Sequence, residues 1–105
     1  MTLRISRGHG FQLAFENGVT VSVQFGASHY CANRFKGWEA GDTWSCENAE
    51  VAVFYTEGEW LTREVFAQLD WEDPEDDVAG YIKADEVAKL ISACQAWPKR
   101  EEVEK

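Results

Sequence analysis

Three features are scarce or missing in this sequence of 105 residues: long apolar runs, cysteine and catalytic motifs. No stretch approaches the ~18 apolar residues of a membrane-spanning helix, and residues 1–10 lack the apolar core of a secretory signal peptide. Three cysteines leave one unpaired in any single-disulfide scheme, which argues against a secreted disulfide scaffold. We therefore expect a cytoplasmic protein with reduced thiols and no membrane contact, in which Cys94 is a small buried apolar residue.

The absence of common catalytic motifs argues against the enzyme classes that carry them. The sequence contains neither a phosphate-binding P-loop nor a G-x-S-x-G nucleophile motif. Arg7-Gly8-His9-Gly10 holds two glycines but precedes a strand-like segment, so it lacks the helix N-terminus that phosphate sites use. The abundant carboxylates crowd one polar stretch, where none is expected to be desolvated as a hydrolytic acid must be. We predict that the protein is not an enzyme and needs no cofactor.

Apolar side chains are numerous enough to form one folded core. Apolar residues make up 45% of the chain and aromatic residues 13%, including five Trp and six Phe. This composition argues against disorder of the whole chain, and the length fits one domain. We place that single α+β domain at residues 1–98, because Pro98 ends the last helical pattern and residues 99–105 form a charged tail.

The clearest local pattern is a β-hairpin with its turn at Asn17-Gly18. Apolar and polar residues alternate over 11–15 and again over 19–25, as in strands buried on one face. A two-residue loop would put the two apolar rows on opposite faces. A three-residue loop, with Phe15 opposite Val19 and Gly18 left-handed, puts both rows on one face. The other face is expected to meet water or a partner through Gln12, Thr20, Ser22 and Gln24.

The rest of the chain predicts further strands and one helix. Residues 51–55 alternate as a strand, and a two-residue turn at Glu57-Gly58 would place Tyr55 opposite Trp60, which we expect in the core. Residues 62–69 fit a helix or a strand, and residues 78–82 a short strand. Residues 84–97 carry a helical apolar stripe of Val87, Leu90, Ile91, Cys94 and Trp97. The predicted fold class is α+β, an antiparallel sheet of four to six strands with one C-terminal helix packed on it.

Charge is divided unevenly along the chain. Residues 1–38 carry four basic residues and one acidic residue, whereas residues 39–105 carry six basic and 18 acidic residues. The acidic part would repel the phosphates of nucleic acid, so direct nucleic-acid binding is not expected. It would attract a basic protein surface, such as that of a protein that itself binds nucleic acid. Solubility alone is the other explanation of this charge.

The densest acidic stretch is residues 70–77, which hold six acids and Pro74 and predict an exposed loop. Carboxylates spread along an exposed loop can stand in for the phosphates of nucleic acid, and a neighbouring Trp can anchor an interface. The residues predicted to bind a partner are Trp71, Glu72, Asp73, Glu75, Asp76 and Asp77.

Two alternative sites use residues 26–48, which show no periodic pattern. In the first, Arg34, Lys36 and Trp38 bind an anionic nucleotide in a cleft between copies of the chain. In the second, His29, Cys31 and Cys46 bind zinc, although only one pair has the tight spacing typical of structural zinc. A third interpretation, in which the aromatic residues of this segment only cover the edge of the core, stays open.

Several segments resemble small accessory proteins encoded by tailed bacteriophages. The resemblance lies in Gly10-Phe11, Phe15-Glu16-Asn17-Gly18, Ser22-Val23-Gln24-Phe25-Gly26 and Tyr30-Cys31, and in the helix around Asp85-Glu86-Val87. Small acidic phage proteins of this kind often act by binding, and include inhibitors of host nucleases and of CRISPR or other defence systems. The resemblance therefore implies a non-enzymatic inhibitor that acts in the cytoplasm of the host.

Overall fold

The computed structural model describes residues 2–6, 9–26, 29–35 and 45–99. These residues form two helices and an antiparallel five-stranded sheet whose strands follow the order of the chain. The elements are β1 (Thr2–Ser6), β2 (Gly10–Ala14), β3 (Val19–Gln24), β4 (Asn48–Tyr55), α1 (Thr62–Gln68), β5 (Val78–Lys83) and α2 (Ala84–Gln95). The predicted α+β class, with a C-terminal helix on the sheet, is confirmed. The ambiguous segment after Leu61 forms the short helix α1.

The hairpin of β2 and β3, which we call the first hairpin, has the three-residue loop that the alternation predicts. Leu13 pairs with Val21, and the Phe15 amide donates to the Val19 carbonyl at 2.8 Å. Gly18 has a φ of +88°, a conformation that residues with a Cβ atom rarely adopt. Both apolar rows of the hairpin consequently lie on the same face of the sheet.

We call β4 and the residues 59–61 that return beside it the second hairpin. There the predicted pairing of Tyr55 with Trp60 is wrong by one residue. The Tyr55 amide donates to the Glu59 carbonyl at 2.8 Å, so the loop spans residues 56–58, and Trp60 pairs with Phe54 instead. The longer loop keeps side chains of like polarity on one face, which is the rule that also sets the first hairpin. The side chain of Trp60 is 48% exposed, so the expectation that it lies in the core is also wrong.

One face of the sheet carries the hydrophobic core, and both helices pack on it. We call it the helix face. Leu90 and Cys94 of α2 are fully buried there, beside Val65 and Phe66 of α1, and this burial confirms the predicted apolar stripe and the burial of Cys94. The core comprises Val19, Val21, Val23, Ala49, Val51, Val53, Leu61, Val65, Phe66, Ala79, Leu90 and Cys94.

Strand β1 extends the helix face beyond the helices. Helix α2 packs against β3, β4 and β5. Leu3 and Ile5, which pair with Leu13 and Phe11 of β2, are 78% and 90% exposed. The patterns considered above do not predict β1, although its apolar residues alternate with polar neighbours as in a strand.

Thr20, on the opposite face of the sheet, is buried, so the expectation that this face meets water or a partner is wrong at that position. Its hydroxyl group is hydrogen-bonded to that of Thr56 at 2.8 Å. The Thr56 amide also donates to the Gly18 carbonyl at 2.7 Å. The loop after β4 therefore folds over the start of β3 and covers Thr20.

The long connection between β3 and β4 docks on the sheet through Tyr30. The Tyr30 amide donates to Glu50 Oε1 at 2.8 Å, and the Tyr30 carbonyl accepts from the Tyr81 amide at 2.9 Å. The pairing of β4 with β5 is irregular beside Glu50. Gly80 makes room for the connection, because a Cβ atom there would lie 2.6 Å from the Tyr30 Cβ. Residues 29–35 are thereby held against β4 and β5.

Candidate protein-binding site

Negative charge is concentrated in residues 57–77, which contain α1 and its flanking loops. We call these residues the acidic segment. It has nine acidic residues and one basic residue, whereas the other described residues hold five of each and are neutral overall. Its acidic residues are Glu57, Glu59, Glu64, Asp70, Glu72, Asp73, Glu75, Asp76 and Asp77.

We call residues 70–77 the acidic loop. Thr62 ties the end of this loop to the sheet. Its fully buried hydroxyl accepts from the Val53 amide at 2.9 Å and donates to the Asp77 carbonyl at 2.6 Å. A buried hydroxyl that is hydrogen-bonded on both sides is a fixed point. Asp77 consequently stays beside the first turn of α1.

Arg63, the basic residue of the acidic segment, fixes the middle of the loop. Its Nε and Nη2 donate to the two carboxylate oxygens of Asp73 at 2.9 and 2.7 Å, the paired geometry that suits a guanidinium. Asp73 also accepts from the Glu75 amide, and the Asp76 carboxylate accepts from the Asp77 amide. The hydrogen bonds from Arg63 and from the Glu75 amide lower the pKa of Asp73 to about 2. These bonds fix the backbone of the acidic loop, which carries the carboxylates.

A surface cleft of about 500 Å³ lies between α1 and the acidic loop. Its lining includes three carboxylates but only one guanidinium, and that group is already paired with Asp73. A cation entering the cleft would therefore be attracted, whereas an anion would be repelled. The lining residues are Arg63, Glu64, Ala67, Trp71, Asp73 and Asp77.

The acids predicted to bind a partner follow one another along the loop, and Asp73 and Asp77 line the cleft. Glu72, Asp73, Glu75 and Asp76 are exposed, and Asp77 is half-buried. This arrangement leaves four neighbouring carboxylates in contact with solvent.

The two tryptophans of the acidic segment differ in exposure. Trp71, which was predicted to contact a partner, is half-buried and meets Phe66 edge-on, with ring centroids 5.1 Å apart. Trp60 packs edge-on against Phe54 at 5.6 Å and keeps about half of its surface exposed beside Glu59. Trp71 thus anchors the loop to α1, and Trp60 offers more indole surface to a partner.

Sequence reasoning missed Arg63 and Glu64 as parts of this surface, and it missed the exposure of Trp60 in the same segment. Glu64 and Arg63 lie on α1, in a segment whose sequence fits a helix or a strand equally well. A count of charges over residues 57–77, instead of 70–77, would have included them.

The nucleotide alternative is described by the structure at Arg34 only, because Lys36 and Trp38 lie outside the described residues. The Arg34 guanidinium lies over the ring of Tyr30 at 4.1 Å and near that of Phe35 at 5.5 Å. Its cationic group is therefore stacked on aromatic rings of its own segment.

The residues of the zinc alternative are brought together only in part. Cys31 and Cys46 lie close enough for each to shift the pKa of the other. His29 turns its Nδ1 toward the Gly26 amide, from which it accepts at 3.0 Å. Within the described ranges, no three His, Cys, Asp or Glu side chains are placed to share a metal ion.

No protein-family model, curated protein or solved structure matches the chain. Neither helix of the described residues has the length and apolarity to cross a membrane.

Proposed function

We propose that this is a non-enzymatic binding protein whose acidic segment occupies the basic surface of another protein. The observation that carries the proposal is the distribution of charge. Nine acidic residues and one basic residue lie in residues 57–77, while the remaining described residues balance. Charge that served solubility alone would need no such concentration, because interspersed charges of both signs keep a surface soluble.

The acidic segment acts first at a distance and then by contact. Clustered charge attracts a surface of opposite sign and speeds the encounter. Exposed carboxylates, such as those of Glu72 and Glu75, are available for ion pairs. Trp60, elsewhere in the same segment, supplies an exposed aromatic surface, and tryptophan is a frequent anchor of protein interfaces.

The partner that fits this surface is a protein that binds nucleic acid. Its basic groove accommodates a row of phosphates, and the exposed carboxylates of the acidic segment, whose backbone Thr62 fixes at Asp77, can occupy the same positions. Such binding excludes nucleic acid and inhibits the partner. The resemblance to phage accessory proteins supports a host or defence protein, including a CRISPR component, as that partner, and the host cytoplasm as the place of action.

Two variants of equal net charge test the proposal. Each variant loses three exposed carboxylates. The test variant loses them from the acidic segment, as Glu64→Gln, Glu72→Gln and Glu75→Gln. The control variant loses them elsewhere, as Glu16→Gln, Glu47→Gln and Asp85→Asn. The rate at which each variant associates with an immobilised arginine-rich peptide is measured by surface plasmon resonance.

We expect the test variant to associate about tenfold more slowly than the unmodified chain, because the local field is weakened. The control variant should stay close to the unmodified chain. Equal slowing of both variants would mean that net charge alone governs binding, and would overturn the proposal. Thermal unfolding of both variants establishes that each is folded.

A further inference from the structure

Cys31 and Cys46 form a pair of neighbouring thiols, one buried and one accessible. Cys31 is 1% exposed, and its thiol donates to the Gly26 carbonyl at 3.6 Å. Cys46 is half-buried, and its side chain lies close enough to that of Cys31 for the two thiols to influence each other's ionisation. Both are free thiols. This burial pattern is that of an attacking thiol backed by a second one.

Two asparagine side chains hold the thiol pair together. Nδ2 of the buried Asn33 side chain donates to the Ser45 carbonyl at 3.0 Å. Asn48 Oδ1 accepts from the Ala32 amide at 2.7 Å and from the Cys46 thiol at 3.8 Å. These bonds join the two chain segments on either side of the thiols. The neighbourhood of the sulfur atoms is therefore built into the fold.

The two sulfur atoms differ in acidity. Burial raises the pKa of Cys31, and the adjacent Cys46 and Glu50 raise it further. Burial also opposes ionisation of Cys46, but hydrogen bonds from the Asn48 amide, the Cys31 side chain and the Asn33 and Ala32 amides outweigh it and lower the pKa of Cys46. Because the thiolate is the nucleophile, Cys46 is the more reactive of the two.

Cys46 also lines a cavity of about 310 Å³ at the end of the helix face. Much of the lining is apolar, with side chains of Val23, Phe25, Ile82 and Val87. A cavity of this size accommodates a small organic molecule. The accessible thiol thus has both a route to solvent and an apolar surface for a co-reactant.

We propose that Cys46 is a modification site for small, largely apolar disulfides, and that Cys31 resolves the product into a Cys31–Cys46 disulfide. This site lies outside the acidic segment and does not depend on the function proposed for that segment.

The reaction is a thiol–disulfide exchange in two steps. The Cys46 thiolate attacks one sulfur of a small disulfide, so a mixed disulfide forms and the first thiolate leaves and takes up a proton. Cys31 then loses its proton and attacks the Cys46 sulfur, which displaces the second thiolate. The negative charge of Cys46 is absent from the mixed disulfide, so one of the causes that raise the pKa of Cys31 disappears at this step. The protein loses two electrons and two protons, and the disulfide becomes two thiols.

The probe is 4,4′-dithiodipyridine, an uncharged aromatic disulfide that releases coloured thiopyridone. The folded chain and the variants Cys46→Ser, Cys31→Ser and Cys94→Ser are mixed with it, and the release of thiopyridone and the intact mass are followed. Digestion of the unmodified product and mass spectrometry then locate the disulfide without any substitution.

For the unmodified chain we expect two thiopyridone molecules, no lasting adduct and a Cys31–Cys46 disulfide, and the same for Cys94→Ser. Cys31→Ser should release one thiopyridone and keep the adduct on Cys46. Cys46→Ser should react at least about tenfold more slowly, because its remaining thiols are buried. The proposal is overturned if Cys46→Ser reacts as fast as the unmodified chain, or if digestion finds an adduct but no Cys31–Cys46 disulfide.

Discussion

The side chain of Asn17 connects the turn of the first hairpin to the end of α2. Its Oδ1 accepts from the Val19 amide at 3.0 Å, a bond typical of asparagine in a turn. Its Nδ2 donates to the carbonyls of Cys94 at 2.9 Å and Trp97 at 2.7 Å. Carbonyls at the end of a helix have no partner within the helix. One side chain therefore pairs polar groups from two distant parts of the chain.

We expect Asn17→Ala to lower the free energy of unfolding by about 1–3 kcal/mol. The Cys94 and Trp97 carbonyls lose the Asn17 donor, although the Cys94 carbonyl still accepts from the Trp97 amide at 3.2 Å. Asn17→Asp keeps the acceptor for the Val19 amide but loses the donor, and should be destabilised too. The exposed neighbour is the control, since Glu16→Ala should change stability by only about 0.5 kcal/mol or less. Urea denaturation measures all three variants. A loss in Asn17→Ala no larger than in Glu16→Ala would contradict this role.

Asp73 should titrate abnormally because of Arg63. The pKa of Asp73 is about 2, against an ordinary 3.8. A carboxyl group with a lowered pKa stabilises the folded loop fully above its ordinary pKa, and this contribution is lost as the pH falls from about 3.8 toward 2. In Arg63→Gln the pKa of Asp73 should rise toward the ordinary value, although the Glu75 amide still lowers it. Carboxyl NMR titration measures this shift, and an unchanged pKa would contradict the ion pair.

Among the elements, those with a regular apolar period could be predicted from the sequence. The first hairpin and α2 follow from alternation and from a helical stripe, because each buries one face. The second hairpin was misread because the Glu57-Gly58 pair suggested a short turn. In the first hairpin the register places both apolar rows on one face. The same requirement would have given the observed register of the second hairpin, with Val53 and Leu61 both buried.

The docking of residues 29–35 could not be predicted from any period. It depends on single contacts between distant residues, such as the bond from the Tyr81 amide to the Tyr30 carbonyl. For the same reason the sequence could not show that Cys31 and Cys46 are neighbours. Irregular segments are positioned by individual hydrogen bonds and close approaches, which leave no repeating pattern.

Gly80→Ala should loosen this docking. The new Cβ would lie 2.6 Å from the Tyr30 Cβ and 3.0 Å from the Tyr30 carbonyl oxygen. Overpacking of this kind destabilises by about 1–3 kcal/mol. The Tyr81 amide donates to the Tyr30 carbonyl, and the Ala32 amide of the docked segment donates to Asn48 Oδ1. Hydrogen exchange of these two amides should speed up more than that of the Val21 amide in the core. A matched test is Tyr30→Gly with Gly80→Ala, which removes the clashing Cβ and should recover part of the loss. Unchanged exchange in Gly80→Ala would contradict the docking role of Gly80.

For the whole molecule, the sequence indicated the sign and the rough place of the charge but not its boundary. The loop of residues 70–77 is visible as a run of acids. That α1 adds to the same surface depends on a helix that the sequence left ambiguous. The exposure of Trp60 depends on the register of the second hairpin. A surface made by several elements is therefore known only when their relative positions are known.

Salt and an aromatic substitution should separate the two parts of the proposed binding mechanism. Screening shortens the reach of the acidic segment from about 10 Å at 0.1 M salt to about 3 Å at 1 M, so association with an arginine-rich peptide should slow steeply as salt rises. Trp60→Ala should leave that association rate nearly unchanged and speed dissociation, because it removes contact area and no charge. Phe35→Ala is the matched control, since Phe35 is exposed outside the acidic segment. Equal dissociation rates for these two variants would show that Trp60 is no anchor.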